Sequence, residues 1–463
     1  MTQPMKAEVY PQTDAAGNYG LHAGALGPLE TLAQAVSAVA PSTSPSLTIP
    51  LVFSLAGNAT WFVYLMATAA TLLVGFCVSR FARLSASPGS LYSYAADTLP
   101  PVFGVMAGGG LLLAYVATGA SVAGGALYYS GVVSQGFFHG APPALLTLAV
   151  VCGVAGWIAY RDVKLSAELM LWIEIVSVSL ILIVLAVMLA RFGWRFDVDQ
   201  FRLKGATISA LGPALVLAMF SFVGFESATA LGSEAREPLR TIPRAVLQCA
   251  ILAGVFFMLC SYSEVLGFRG ESSKLSESTS PLHLLAAKAG ISPLGVAIDF
   301  GALVSMFACV LACTTAAARV LLRMAHGGLL PAALERTSRR HGTPGTAIAL
   351  TVGLMFAATA ALSLYGVAGS DMYDWLGSLS VFGFLTAYAL VAAALPFALG
   401  QHSHLVAGIS VFTVLVMILI VIFDLKSATD QIHALIPWIY LGYIGLGLAW
   451  YALRRKNATQ INR

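Results

Sequence analysis

Charge is what this sequence has least of. Only 10% of its 463 residues are Asp, Glu, Lys or Arg, while 58% are hydrophobic. A soluble domain carries about a quarter charged residues, so this chain cannot cover a water-soluble globule with polar surface. That excludes a soluble enzyme and a disordered chain. Basic residues exceed acidic ones by only 25 to 21, too slight an excess for phosphate neutralisation, so no nucleic-acid partner is expected. Cysteine is scarce as well. Cys77, Cys152, Cys249, Cys260, Cys309 and Cys313 all lie in apolar runs without a CxxC, which leaves no disulfide framework. Cys309 and Cys313 share a helix face at i, i+4 and read as small packing residues rather than metal ligands. P-loop, HExxH and GxSxG motifs are missing, and the eight histidines fall almost entirely in loops or at the ends of apolar runs. No ATP-driven pump, no enzyme and no cofactor is expected.

What is present is apolar helix, at lengths that suit a bilayer. The pattern predicts an all-α membrane protein with twelve transmembrane helices at 28–55, 59–81, 102–134, 143–160, 165–191, 208–234, 243–267, 293–323, 346–366, 373–398, 404–423 and 434–453. Tails at 1–27 and 454–463 flank them. The first tail is polar with a single lysine, Lys6, unlike a signal peptide, so span 1 is expected to be retained. An even count puts both tails on one side. That side holds about twice the lysine and arginine of the other, including Arg236, Arg240, Arg244, Arg319, Arg323, Arg336, Arg339 and Arg340. The positive-inside bias therefore predicts cytoplasmic termini in a cell-membrane protein. Asn58 and Asn457 begin sequons that read as chance.

Two spans are interrupted. Span 1 carries Ala40-Pro41-Ser42-Thr43-Ser44-Pro45-Ser46, and proline inside a helix costs about 3 kcal/mol. Span 6 carries Phe220-Ser221-Phe222-Val223-Gly224-Phe225-Glu226-Ser227, where glycine, serines and a carboxylate break an apolar run. The interruptions occupy the same position in two five-span halves, 28–191 and 208–398, with 404–453 left over. Matched broken spans point to a secondary transporter's substrate site. Free carbonyls at one half-helix end attract an ammonium group, and free N–H groups at the other attract a carboxylate. A zwitterionic amino acid fits such a pair. Substrate contacts are expected from Ser42, Thr43, Ser44, Ser46, Phe220, Ser221, Phe222 and Gly224, with Tyr115 and Thr118 of span 3 either lining the cavity or packing.

Three stretches resemble a known family. Phe222-Val223-Gly224-Phe225-Glu226-Ser227 followed by Ser233-Glu234-Ala235-Arg236-Glu237-Pro238-Leu239-Arg240-Thr241-Ile242-Pro243-Arg244-Ala245 is similar to the span 6–7 region of the amino acid–polyamine–organocation (APC) superfamily. Ala316-Ala317-Ala318-Arg319-Val320-Leu321 with Gly328-Leu329-Leu330-Pro331 resembles that superfamily's span 8 exit. Pro88-Gly89-Ser90-Leu91-Tyr92-Ser93-Tyr94 looks like its segment before span 3. The resemblance, to a bacterial-type amino acid permease, implies a five-plus-five inverted repeat with discontinuous helices 1 and 6 and two added C-terminal helices. It implies alternating-access transport of an amino acid or related amine, with Phe220 as an aromatic gate and Glu226 as a gating or protonation residue. One departure stands out. Thr43-Ser44-Pro45 replaces the usual Gly-Ser-Gly, and Pro45 has no N–H to offer a carboxylate. A carboxylate-free amine or polyamine therefore remains an alternative substrate.

Each carboxylate in a span needs a reason, because one at the helix centre costs about 2.5–3.5 kcal/mol on insertion scales. Glu226, Thr229 and Ser233 recur at i, i+3, i+7 and form one polar face; the other reading is that Glu226 caps its own half-helix. Glu174 in span 5 reads as either a proton carrier or a satisfied hydrogen-bonding partner. Glu264 and Asp299 are read as interfacial caps at the outer boundary. Thr314 and Thr315 in span 8 lie near where sodium-coupled relatives of the fold place hydroxyl ligands, so coupling to a proton, coupling to sodium and substrate exchange all stay open. A short amphipathic lid is expected between Glu271 and Ser292. A channel or a nutrient sensor is the competing class, and a sensor would need a soluble output domain that this sequence has no room for. The bilayer is the expected partner; oligomeric state is not legible.

Overall fold

A computed structural model describes residues 19–138, 140–192, 196–271, 274–399, 404–427 and 431–461. The first eighteen residues of the expected N-terminal tail, with Lys6, lie outside them, as do Arg195 and His402. The described residues are helical, with one isolated backbone bridge and no strand. The helices are α1 (Pro28–Val39), α2 (Ile49–Ala56), α3 (Thr60–Ala82), α4 (Ser90–Ala96), α5 (Pro101–Phe138), α6 (Ala144–Arg161), α7 (Val163–Phe192), α8 (Val198–Phe201), α9 (Ile208–Phe220), α10 (Pro238–Gly267), α11 (Pro281–Lys288), α12 (Ser292–His326), α13 (Gly345–Leu364), α14 (Gly369–Leu399), α15 (His404–Ser427) and α16 (Gln431–Ile461).

Ten helical stretches among the described residues are long and apolar enough to cross a bilayer. The first, Pro28–Ala82, has 55 residues. At about 1.5 Å per residue it would run far beyond a hydrocarbon layer of about 30 Å. Its interruptions and the left-handed Gly57 (φ 51°) divide it into α1, α2 and α3. The expected span 6 is divided too: α9 stops at Phe220 and a 3₁₀ turn follows at Ser227–Leu231. Two boundaries differ from expectation by more than four residues. α10 starts at Pro238 rather than 243, because proline is well placed in a first helical turn. α16 continues to Ile461, so most of the expected tail 454–463 is helix.

Among the ten long stretches α12 is the most enclosed, with 67% of its most apolar part buried; α15 and α16 form the outer face, with 22% each. α5 packs along α14 and α12, and α10 packs along α3. Small residues permit these approaches: a Cβ on Gly383 would fall 2.3 Å from the Gly110 carbonyl oxygen, and one on Gly254 2.4 Å from Thr68. The expected lid is α11, whose Leu282, Leu285 and Ala286 are buried. Asp299 of α12 accepts from Ser280 and lies 2.6 Å from His283 Nδ1, so it ties α11 to α12 rather than capping a helix.

On the opposite side, the segment before α1 joins the segment after the broken span 6. Leu26 N donates to the Glu234 carbonyl (3.0 Å), and Arg236 N donates to the Leu26 carbonyl (2.8 Å). Arg319 of α12, counted by sequence with the charges on the side of the termini, is 1% exposed and grips the Glu234 carboxylate with two nitrogens, one at 2.7 Å.

Candidate functional site

The break in span 1 follows from its prolines. Pro41 disfavours helical geometry at Ala40, and Ala40 turns left-handed (φ 49°), closing α1 with bonds to the Val36 and Ser37 carbonyls. The chain re-enters helix as a widened π turn at Ser44–Thr48, with Pro45 in its first turn, where a missing N–H is tolerated. In span 6, α9 ends at Phe220, and Gly224 takes φ +90°, a conformation that suits glycine. A Cβ on Gly224 would come within 2.9 Å of the Ala38 Cβ and 3.1 Å of its carbonyl oxygen. The two breaks therefore meet backbone to backbone.

Between them lies a cavity of about 10 Å³, lined by Ala38, Thr43, Ser44, Thr118, Phe220 and Tyr373 among others. That is room for about one water molecule, so the breaks are closed upon each other. The Thr43 and Thr118 hydroxyls are buried and find no partner in the protein. Beyond Phe220 lies a second cavity of about 10 Å³, bordered by Thr48, Asp374 and Ser378. The Phe220 ring meets Tyr373 edge-on at 5.3 Å and stands between the two cavities. Tyr373 is held by Thr48 (2.7 Å).

Several other expected contacts face elsewhere. Ser46 Oγ donates back to the Ser42 carbonyl (2.8 Å). Ser221 shares a hydrogen with Tyr64 (3.1 Å). Phe222 packs on Phe257 and Tyr64 rather than on the cavity. Ser42 is buried, its hydroxyl without a partner.

Glu226 is fully buried and receives two phenol hydroxyls, from Tyr115 (2.8 Å) and Tyr388 (2.6 Å). Its side chain does not cap the turn that begins at Ser227. Tyr115 thus holds Glu226 instead of lining the cavity. Thr229 bonds to Ser90 (2.5 Å) and to the Glu226 carbonyl (2.8 Å). Glu174 receives the Ser305 hydroxyl, 3.0 Å from each carboxylate oxygen. Its other surroundings form an apolar crevice between α1, α7 and α10.

Thr314 bonds back to the Val310 carbonyl (2.7 Å) and faces Met355 of α13, and the Thr315 carbonyl accepts from Arg319. The Thr314 hydroxyl is therefore not directed at the span 1 break. The α12 residue that reaches the break is Cys309, whose Sγ donates to the Ala38 carbonyl (3.2 Å). Among the described residues, no group of three or more His, Cys, Asp and Glu side chains could hold a metal.

Sequence reasoning missed Tyr373, Tyr388 and Gln34. Gln34 Nε2 donates to the Ala312 carbonyl (2.9 Å), and the Gln34 backbone carbonyl accepts from the Ser227 hydroxyl (3.1 Å), joining both broken spans to α12. A polar residue six positions before the span 1 break was the available signal. The two tyrosines of α14 had none, because an isolated tyrosine in an apolar run reads as packing.

The family described as Amino acid permease matches residues 42–455. An uncharacterized transporter of Mycobacterium tuberculosis is 28% identical over 405 residues, covering 84% of this chain and 83% of that protein. A methylthioribose transporter of Bacillus subtilis is 25% identical, with 77% of each chain covered. A branched-chain amino acid permease of the same organism is 23% identical, with 73% of each covered. Among solved structures, a mutant manganese transporter of Eremococcus coleocola superposes with a TM-score of 0.59 at 13% identity, over 91% of this chain and 92% of that one; at that identity the likeness concerns the fold.

Proposed function

Because the chain belongs to the amino acid permease family, whose members are transporters and not enzymes, we propose that this multi-pass membrane protein is a secondary active transporter of an amino acid. On this reading it works by alternating access from the cell membrane with both termini in the cytoplasm. The helices form twelve crossings: α1 with α2, α3, α5, α6 and α7, then α9 with the turn after it, α10, α12, α13 and α14, then α15 and α16. The first ten form the two halves of the inverted repeat.

The observation that carries this reading is the meeting of two interrupted helices, Ala38 against Gly224, around a cavity whose Thr43 and Thr118 hydroxyls have no protein partner. A buried hydroxyl left unpaired costs about 1–3 kcal/mol. A ligand's polar group would recover that, and parting of the breaks would make room for it. Phe220 lies between the two cavities, where a swing of one ring would open or shut the passage. Glu226, held by phenols from α5 and α14, would register that movement, because it joins the broken span to helices of both halves. The apolar lining from Val39, Val122 and Val223 favours a substrate with an apolar side chain. With the Thr314 hydroxyl bonded back to its own helix, a proton or exchange is favoured over sodium.

A second reading rests on Pro45, which removes one N–H from the site. It makes the substrate an amine without a carboxylate.

The test is a thermal-shift screen of the purified protein against amino acids, amines and polyamines, followed by counterflow in proteoliposomes. Ligand binding raises the melting temperature by mass action. A shift and saturable counterflow with branched or other apolar amino acids is expected. Shifts confined to carboxylate-free amines would replace the first reading with the second. Flux without saturation would sink both and leave a channel.

A further inference from the structure

Glu226 and Glu174 are not the only glutamates buried in the helical body. Glu264 of α10 is 0% exposed, and neither of its carboxylate oxygens accepts a hydrogen bond. The sequence placed it at the outer boundary with water for a neighbour; the fold encloses it instead. α11 covers the outer end of α10, with Leu285 packed against Gly267, three residues beyond Glu264. Among the described residues no lysine, arginine or histidine forms an ion pair with Glu264. Lys288 of α11 reaches the end of α10, but its ammonium engages Glu271 (2.6 Å) and the Gly267 carbonyl (2.7 Å). The titratable neighbours of Glu264 among the described residues are Tyr64 of α3 and Cys260 one turn earlier on α10, neither of which can supply a positive charge. Tyr64's hydroxyl is shared with Ser221 at the break of span 6 (3.1 Å).

An ionised carboxylate in such a place has neither donor nor counter-ion, and the penalty for a bare buried charge is several kcal/mol. Something must neutralise it. A hard cation such as calcium needs about six to eight oxygen ligands, whereas a proton needs only the carboxylate itself. We propose that Glu264 is a proton-binding site of the transport cycle, protonated while α11 covers α10 and exchanging its proton with outside water when α11 lifts. The step is a simple transfer: the carboxylate takes H⁺ from a hydronium ion, forming the acid and leaving water. Tyr64 then lies between the acid and the broken span, so that gain or loss of the proton is felt at Ser221. The coupling part of this proposal rests on the transporter reading; the proton site itself does not.

Two measurements test it. The first is infrared spectroscopy of the purified full chain in lipid nanodiscs, titrated with acid and base. The wild type should show the carbonyl stretch of a protonated carboxyl at neutral pH, part of which is lost in Glu264→Gln and moved in frequency in Glu264→Asp. A protonated-carboxyl band identical in wild type and Glu264→Gln at every pH would overturn the site. If Glu264→Gln does not fold, the aspartate variant carries the same test through its frequency shift. The second is proteoliposomes loaded with a pH indicator, with L-leucine as the probe substrate. Protons moved per leucine should fall to the background leak in Glu264→Gln. Wild-type stoichiometry in the variant, or leucine entry driven by sodium with no proton movement, would overturn the coupling. If the wild type moves no leucine and none of the amines or amino acids, the transporter reading fails, and the infrared result still decides whether Glu264 holds a proton.

Discussion

Glu226 and Glu264 stand on neighbouring broken and unbroken spans, both fully buried, and the protein treats them in opposite ways. Around Glu226 it assembles two phenols from distant helices, α5 and α14. Around Glu264 it supplies no donor. Glu174 is intermediate, with one hydroxyl hydrogen for two oxygens. The contrast teaches that burial alone does not define a carboxylate's task; the number of donors does. Donors stabilise a charge in place, and their absence leaves a group whose charge must be cancelled. Glu234 extends the series at its satisfied end, with an arginine fork closed on it.

The comparison can be broken most forcefully at Glu234. Arg319→Ala would convert a paired buried carboxylate into a bare one and should cost about 3–5 kcal/mol. A large drop in the melting temperature of the solubilised protein is expected, partly restored by adding Glu234→Ala. No drop would mean that bare carboxylates are tolerated here and that the contrast carries no energy.

A smaller effect is expected at Glu226. Tyr388→Phe removes one of the two phenol donors to a buried carboxylate, and an acceptor left short costs about 1–3 kcal/mol. Adding Tyr115→Phe should not be additive, because both phenols serve one carboxylate. A double-mutant cycle on melting temperature reads the coupling.

Glu264 should respond with the opposite sign. Glu264→Leu exchanges an unpartnered acid for an apolar side chain and should raise stability, by about 1 kcal/mol or more. A fall comparable to that of Arg319→Ala would show that Glu264 is satisfied after all.

The smallest effect lies in water, outside the spans, where the same rule holds. Asp197 begins α8. Partial burial pushes its carboxyl up, but hydrogen bonds from Gln200 and Arg269 outweigh this and hold it below the ordinary aspartate range. A lowered value in the folded state means that stability is present above the ordinary aspartate pKa and lost as pH falls through the folded value. Hydrogen exchange at Val198–Phe201 should therefore accelerate on acidification, relative to the helices around it, and the acceleration should be absent in Asp197→Asn.

Much of this architecture was legible in the sequence because it rests on local rules. Pro41 and Pro45 mark the first break and Gly224 the second, since each acts through its own backbone; the apolar run lengths marked the long helices. The short amphipathic helix between Glu271 and Ser292 was visible from Leu282, Leu284, Leu285 and Ala286. What could not be read were the pairings between distant helices. Tyr388 meets Glu226 across 162 positions of chain, and no local pattern encodes that meeting. Glu264 was misplaced for the same reason. Its position near the end of an apolar run suggested water, but α11 folds back over that end. Thr314 was misdirected because a helix has several faces, and spacing alone does not say which one looks at span 1.

The two backbone hydrogen bonds that join Leu26 to Glu234 and Arg236 carry a mechanical consequence. They fasten the chain entering span 1 to the chain leaving span 6, close to where the arginine fork of α12 is fixed. Two hinged levers bolted together at their free ends have one degree of freedom rather than two. Neither break can swing at this end while the other stays still, unless those bonds part first. The latch is made of main chain and so does not depend on the side chains it joins. Its strength is set by geometry, and a proline at position 26 or 236, which deletes one of the two N–H groups, would loosen both levers at once.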